Sequence, residues 1–114
     1  MKPKSETKPK TPRKAKEPTP SLEHFELLIS DEYELTRPIP IEVTRYDDGV
    51  VLIASRELNL YAEADDEYQA LRDFSFVLTE HLEDLVGFLK EGKKLGRDLE
   101  IRLSMLRRLL RRIK

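Results

Sequence analysis

The stretch DDEYQALRDFSFVLTEHLEDLVGFLKE, from Asp65 to Glu91, decides the fold predicted for this chain. Its apolar residues recur at steps of three or four, the spacing that places side chains on one face of an α-helix. The apolar stripe comprises Leu71, Phe74, Leu78, Leu82, Leu85 and Leu89, widened by Val77, His81 and Phe88. Asp66 followed by Gln69 predicts an N-cap with a capping-box partner, and Gly92 predicts the end of the helix. At about 1.5 Å per residue the helix would be roughly 40 Å long, so a flat surface must cover its apolar face.

Three strand patterns precede the predicted helix. Residues 39–44 alternate between apolar and polar, which is typical of a strand with one buried face. A turn at residues 47–49 leads into residues 50–54, an unbroken apolar run that predicts a central strand. Residues 60–64 alternate again and lead directly into the helix cap. The predicted fold class is therefore α+β: a three-stranded antiparallel meander packed on one long helix, followed by a second basic helix.

The segment between residues 21 and 37 is ambiguous. Ser21 would cap a short helical turn, or the sequences FELLIS and YELTR would form two extended pieces. Pro38 and Pro40 each push the preceding residue out of the α region, so the chain is extended there. Because Pro40 has no N–H to donate, we expect any strand that contains it to lie at a sheet edge.

A second helical pattern follows the turn at residues 93–96. Asp98 predicts its cap, and the pattern continues to about Ile113. One apolar seam comprises Leu99, Leu103, Leu106, Leu110 and Ile113, and a second comprises Ile101, Met105 and Leu109. This arc is broader than one contact requires, which favours contact with a second chain and hence a homodimer.

The charges are segregated along the chain. Residues 1–20 carry seven basic and two acidic residues, residues 21–100 carry eight basic and twenty acidic, and residues 101–114 carry six basic and none acidic. The predicted organisation is a disordered, basic Lys/Pro-rich tail (1–20), a β-β-β-α domain (21–92) and an Arg-rich C-terminal helix (93–114). The tail would contact phosphate backbones, lie over the acidic body of the chain, or serve only as a solubilising segment. The acidic body suits a basic partner.

Composition excludes several classes of protein. The chain has no cysteine, which rules out disulfides and thiolate chemistry. No run approaches the roughly 20 apolar residues of a membrane span, and no apolar secretory segment follows Met1. We therefore expect a cytoplasmic protein with no membrane partner.

The sequence contains no recognisable catalytic constellation. The carboxylate pairs Asp47-Asp48 and Asp65-Asp66 fall in a turn and at a helix start, where each pair has a structural role. The two histidines, His24 and His81, lack the spacing of a metal site. We expect no enzyme activity, no metal and no cofactor.

Residues 39–71 resemble the HicB-like antitoxin family, whose domain is a truncated ribonuclease H-like fold. The resemblance is carried by the first strand and turn, IPIEVTRYDDG, the second strand VVLIAS, the loop RELNLY and the junction ADDEYQALRDF. It implies a strand–turn–strand–loop–strand–cap–helix domain without catalytic acids. It also implies a non-catalytic antitoxin that binds a small, basic, RNA-cleaving toxin.

The strongest candidates for a binding site are the four arginines Arg107, Arg108, Arg111 and Arg112. Spaced at i, i+1, i+4 and i+5 of the predicted second helix, they would form a band that matches phosphate or carboxylate groups. Three readings remain open for this band: a nucleic-acid contact, a contact with the acidic body of the same or a neighbouring chain, and a basic helix end that only faces solvent.

The acidic outer side of the long helix supplies the candidates for contact with a toxin: Glu80, Glu83 and Asp84. The function predicted from the resemblance and the charges is an antitoxin-like protein that dimerises and occludes a basic toxin. The alternative is a nucleic-acid-binding regulatory module that uses the basic tail and the arginine band.

Overall fold

The computed structural model describes residues 18–113 of the 114-residue chain. The predicted basic tail, residues 1–20, therefore lies outside the described residues except for Pro18, Thr19 and Pro20. The elements in chain order are β1 (Ser21–Phe25), β2 (Tyr33–Leu35), β3 (Ile39–Arg45), β4 (Val51–Ser55), β5 (Leu60–Ala64), α1 (Glu67–Lys90), α2 (Arg97–Leu109) and β6 (Leu110–Arg112).

The strands form two antiparallel sheets. The main sheet has four strands in the order β1-β3-β4-β5, and β2 pairs with β6 in a separate two-stranded sheet. The α+β class and the meander of β3, β4 and β5 are confirmed. The predicted number of strands is wrong, because β1 adds a fourth strand from the segment with the ambiguous pattern.

The predicted edge position of the strand containing Pro40 is also wrong, since β3 lies between β1 and β4. The register explains how the proline is accommodated. Pro40 is opposite His24 of β1, whereas pairing with β4 covers only Glu42 to Arg45. At Pro40 the strand therefore has a neighbour on one side only, and the missing N–H breaks no ladder between two strands.

The apolar stripe of α1 packs on the inner face of the main sheet. Phe74, Leu78 and Leu85 are almost completely buried, and the ring of Phe74 meets Phe25 of β1 edge to face with centroids 5.1 Å apart. The facing strand residues in the core are Ile39, Ile41, Val43, Val51, Ile53 and Ala62. Phe88 and Leu89 stay partly exposed, so the stripe is covered over most of its length but not at its end.

The predicted boundaries of α1 are nearly correct. Asp66 is the N-cap, and its carboxylate accepts the N–H of Gln69 at 2.8 Å. The capping box is incomplete, because the Gln69 amide donates to Asp73 at 3.0 Å instead of returning to the cap. Gly92 follows the last turn with a φ of +83°, a left-handed conformation in which glycine is unstrained.

Arg45 connects three elements near the start of α1. Its guanidinium donates to Glu23 of β1 at 2.7 Å and to Glu67 of α1 at 2.9 Å. The hydrogen bond from Arg45 lowers the pKa of Glu23, and the hydrogen bonds to Glu23 and Glu67 raise the pKa of Arg45. Both ion pairs of Arg45 are solvent-accessible, so they fix the relative position of the elements more than they stabilise the fold.

The second helix is shorter than predicted. It spans Arg97–Leu109 with Gly96 as the N-cap, so both the Asp98 cap and the continuation to Ile113 are wrong. Leu110 turns extended because residues 110–112 pair with β2, and flanking backbone bonds join Thr36 to Leu109 and Ile113 to Glu32 at 2.8 Å. This long-range pairing overrides the helical periodicity of the sequence.

No helix described between residues 18 and 113 is both long and apolar enough to span a lipid bilayer.

Two phenylalanines of α1, two residues apart, allow a matched test of this packing. Phe74→Ala should lower the free energy of unfolding by about 3–5 kcal/mol, because it leaves a cavity against Phe25 in a fully buried site. Phe76→Ala, at an exposed position of the same helix, should change it by less than about 1 kcal/mol. Urea unfolding followed by circular dichroism measures both, and similar losses for the two variants would contradict this packing.

Candidate protein-binding surface

The four candidate arginines do not form one helical band. Arg107 and Arg108 lie in the exposed last turn of α2, whereas Arg111 and Arg112 lie on β6. The predicted spacing of guanidinium groups is lost because the chain leaves the helix at Leu110.

Arg111 and Arg112 make contacts within the protein. Opposite Arg111 on β2 is Glu34, which accepts its Nε–H at 2.6 Å and also forms a salt bridge with its terminal nitrogen. Opposite Arg112 is Tyr33, whose hydroxyl accepts from Nη1 at 3.1 Å and whose ring lies 5.4 Å from the guanidinium carbon. These two side chains therefore help to hold β6 on β2.

Tyr33 also connects this small sheet to α1. Its hydroxyl donates to Glu83 at 3.3 Å, so one buried tyrosine links a candidate acidic residue to a candidate basic one. Burial and the nearby negative charge of Glu83 raise the pKa of Tyr33. The only sign of Tyr33 in the sequence is an aromatic residue within YELTR, one of the two predicted extended pieces.

The candidate acids Glu80, Glu83 and Asp84 are all exposed on α1. Glu83 is engaged by Tyr33, whereas Glu80 and Asp84 make no ion pair or hydrogen bond within residues 18–113. Spaced four residues apart, Glu80 and Asp84 are neighbours on the helix surface. The acidic outer side of the helix is thus present in the fold.

The segment before β2 runs alongside this part of α1. The N–H of Ile29 donates to the hydroxyl of Ser75 at 3.0 Å, and Tyr33 reaches Glu83 two turns further along the helix. Two turns span about 12 Å, a distance that four residues of chain can cover. Asp31 and Glu32, both exposed, therefore lie beside the turns of α1 that carry Glu80.

His81 lies on the inner side of α1 near the second helix. Burial and the positive charge of Arg102 lower its pKa, against an opposing effect of Asp84. Its Nε2 is buried and has no hydrogen-bond partner in the described part of the chain. Its imidazole therefore favours the neutral form in the folded protein, as expected for a packed side chain.

One carboxylate of each pair has the structural role predicted for the pair. Asp66 caps α1, and Asp48 accepts the N–H of Val50 at 3.1 Å in the turn between β3 and β4. Among residues 18–113 no three side chains of the His, Cys, Asp and Glu types are grouped closely enough to hold a metal ion.

A groove of about 460 Å³ lies on the outer face of the main sheet. Its lining residues are Pro18, Thr19, Pro20, Glu42, Thr44, Tyr46, Leu52 and Ala54. Glu42 is already paired with Arg56 at 2.7 Å, so the groove offers little charge for recognition.

No family of known proteins, no curated protein and no solved structure matches this chain. The resemblance to HicB-like antitoxins therefore stays a prediction from sequence motifs.

The hydrogen bonds of Tyr33 can be removed with little change of shape. Tyr33→Phe should lower the free energy of unfolding by about 1 kcal/mol, because Glu83 and Arg112 both lose a partner in a partly buried setting. Tyr61→Phe is the matched control, since its side chain is exposed on β5, and should change stability by less than about 0.5 kcal/mol. Equal urea midpoints for wild type and Tyr33→Phe would show that the hydroxyl does not support the fold.

Proposed function

We propose that this chain is a non-catalytic, antitoxin-like binding protein that neutralises a small, basic, RNA-cleaving toxin. The proposal follows the HicB-like resemblance of residues 39–71 and is supported by the distribution of charge over the fold. The partner is a protein, and the neutralising act is the occlusion of its basic surface.

The observation that carries the proposal is the exposed acidic side of α1. Glu80 and Asp84 project from the long helix without internal partners among the described residues, and Asp31 and Glu32 lie beside them. The nearby arginines of β6, Arg111 and Arg112, contact Glu34 and Tyr33 of β2 and do not pair with Glu80 or Asp84. A concentrated acidic surface of this kind steers a basic protein to it and selects against acidic ones.

Self-association belongs to the same proposal. The two edges of the main sheet, β1 and β5, have different protection against pairing with another chain. Two prolines precede β1, at positions 18 and 20, whereas β5 contains no proline or lysine. A homodimer would therefore form through β5, with Ile101 of α2, which is 49% exposed, as a second contact.

The protein encoded by the adjacent reading frame tests the function directly. A small basic protein from that frame should co-purify with this chain, and its RNA cleavage should stop when the chain is added. The double variant Glu80→Lys/Asp84→Lys should weaken the complex about tenfold or more, because two acids facing the partner become like charges.

The control is Glu57→Lys/Glu100→Lys, which changes the net charge equally at exposed positions on the β4–β5 turn and on α2. Equal weakening by both double variants would show that only net charge matters. An adjacent frame without a basic product, or a basic product that does not co-purify, would refute the proposal.

The alternative function is a nucleic-acid-binding regulatory module, and one observation favours it. Arg107 and Arg108 are exposed in the last turn of α2 and form no ion pair within residues 18–113. They are the part of the predicted band that remains available for phosphate groups. The basic tail that would act with them lies outside the described residues, apart from residues 18–20.

Salt dependence tests the alternative. If phosphate contacts exist, affinity for a generic DNA or RNA duplex should fall steeply with salt, and Arg107→Glu/Arg108→Glu should reduce the logarithmic slope by about 2. Lys93→Glu/Lys94→Glu, in the exposed turn after α1, is the charge-matched control and should change the slope less. Absence of binding at low salt, measured by fluorescence anisotropy, would eliminate this alternative.

A further inference from the structure

Three exposed apolar side chains lie on α1 and on the segment that is hydrogen-bonded to it. Phe76 is 62% exposed, Leu27 is 75% exposed and Ile29 is 36% exposed. The hydrogen bond from Ile29 to Ser75 places Ile29 against the helix at the turn that carries Phe76. Leu27 lies two residues before that contact. Aromatic and aliphatic groups left together in water mark a surface used for binding.

Acidic residues border this apolar centre on two sides. Glu80 and Glu83 follow Phe76 by four and seven residues, so they lie on the same face of α1. Asp31 and Glu32 belong to the segment beside the helix and follow Ile29 by two and three residues. Arg72 lies one turn before Phe76, and at the other end of the surface Arg112 shares the Tyr33 hydroxyl with Glu83, where the four acids outnumber that arginine. The negative charge is therefore concentrated toward the C-terminal half of α1.

We infer that this surface, defined by Leu27, Ile29 and Phe76 with the acids Asp31, Glu32, Glu80 and Glu83, docks an amphipathic, positively charged helix. The inference rests on the proposed function and names the element of the basic partner that the surface accepts. The apolar centre suits the apolar stripe of such a helix, and the acids suit lysine and arginine beside that stripe.

The shape of the surface favours a helix over other elements. The apolar and acidic groups follow α1 for about two turns, and the neighbouring segment provides a second wall along the same direction. An elongated surface that carries both apolar and acidic groups suits an amphipathic helix laid along α1. A second copy of the chain fits poorly, because two copies of the same surface would bring four acids against four acids.

Two synthetic peptides of about 18 residues test the inference without the natural partner. One contains lysine and leucine at helical spacing, and the other has the same number of lysines with serine in place of leucine. The chain should bind the lysine–leucine peptide about tenfold more tightly or better, because only that peptide fills the apolar centre. Fluorescence anisotropy of labelled peptides gives both affinities.

A matched pair of double variants locates the site. Leu27→Ser/Phe76→Ser should weaken binding of the lysine–leucine peptide about tenfold, and circular dichroism checks that the variant is folded. Leu22→Ser/Tyr61→Ser removes one leucine and one aromatic that are 82% and 67% exposed on strands of the main sheet. This control should leave the affinity within about twofold.

Equal affinity for the two peptides, or equal effects of the two double variants, would overturn the inference. Its failure is separable from failure of the proposed function. A toxin that co-purifies equally with wild type and Leu27→Ser/Phe76→Ser leaves the function standing and removes this surface. Peptide binding that depends on Phe76, without any co-purifying toxin, keeps the surface and removes the antitoxin role.

Discussion

The burial of the apolar stripe of α1 is the constraint on which the rest of the structure depends. The helix has 24 residues and is therefore about 36 Å long, whereas strands of five to seven residues are only about 17–24 Å long. One small sheet cannot cover such a helix from end to end. The sheet covers the half that contains Phe74 and Leu78, and Leu103 and Leu106 of α2 join the same core. The chain must therefore return along the helix after Gly92, and the position of α2 follows from this mismatch of lengths.

The return of the chain explains why the arginines are divided. Leu109 and Leu110 are both buried, and a helix that continued outward past α1 could not bury both of these adjacent side chains. Pairing of β6 with β2 satisfies the backbone at this point and places Arg111 and Arg112 opposite Glu34 and Tyr33. The basic end of the chain is thereby engaged with part of the acidic body. Glu80 and Asp84 of α1 stay exposed and have no internal partner among residues 18–113, so an acidic surface remains beside the pairing that closes the fold.

The buried core and the proposed docking surface use different parts of α1. Phe74 and Ser75 are completely buried, while Phe76, the next residue, is largely exposed. The hydroxyl of Ser75 connects the helix to the neighbouring segment: it donates to the carbonyl of Leu71 at 2.8 Å and accepts the N–H of Ile29. This buried hydroxyl holds the segment that carries Leu27 and Ile29 against the helix. The proposed docking surface is therefore positioned by the core.

The sequence by itself determined the elements that depend on local signals. The period of α1, its Asp66 cap, the glycine at its end and the strands β3, β4 and β5 follow from spacing and turn chemistry, and the exposed acids Glu80 and Asp84 follow from the helix face. Tertiary structure alone decided the fourth strand, the place of Pro40 within a central strand, the end of α2 at Leu109 and the role of Tyr33. Each of these depends on a partner distant in sequence: β1 pairs with β3, β6 pairs with β2, and Tyr33 bonds to Glu83 and Arg112. Periodicity reports which face of a segment is apolar. Residues 110–112 form a strand instead of a helix because they pair with residues more than seventy positions away, and no local pattern contains that pairing.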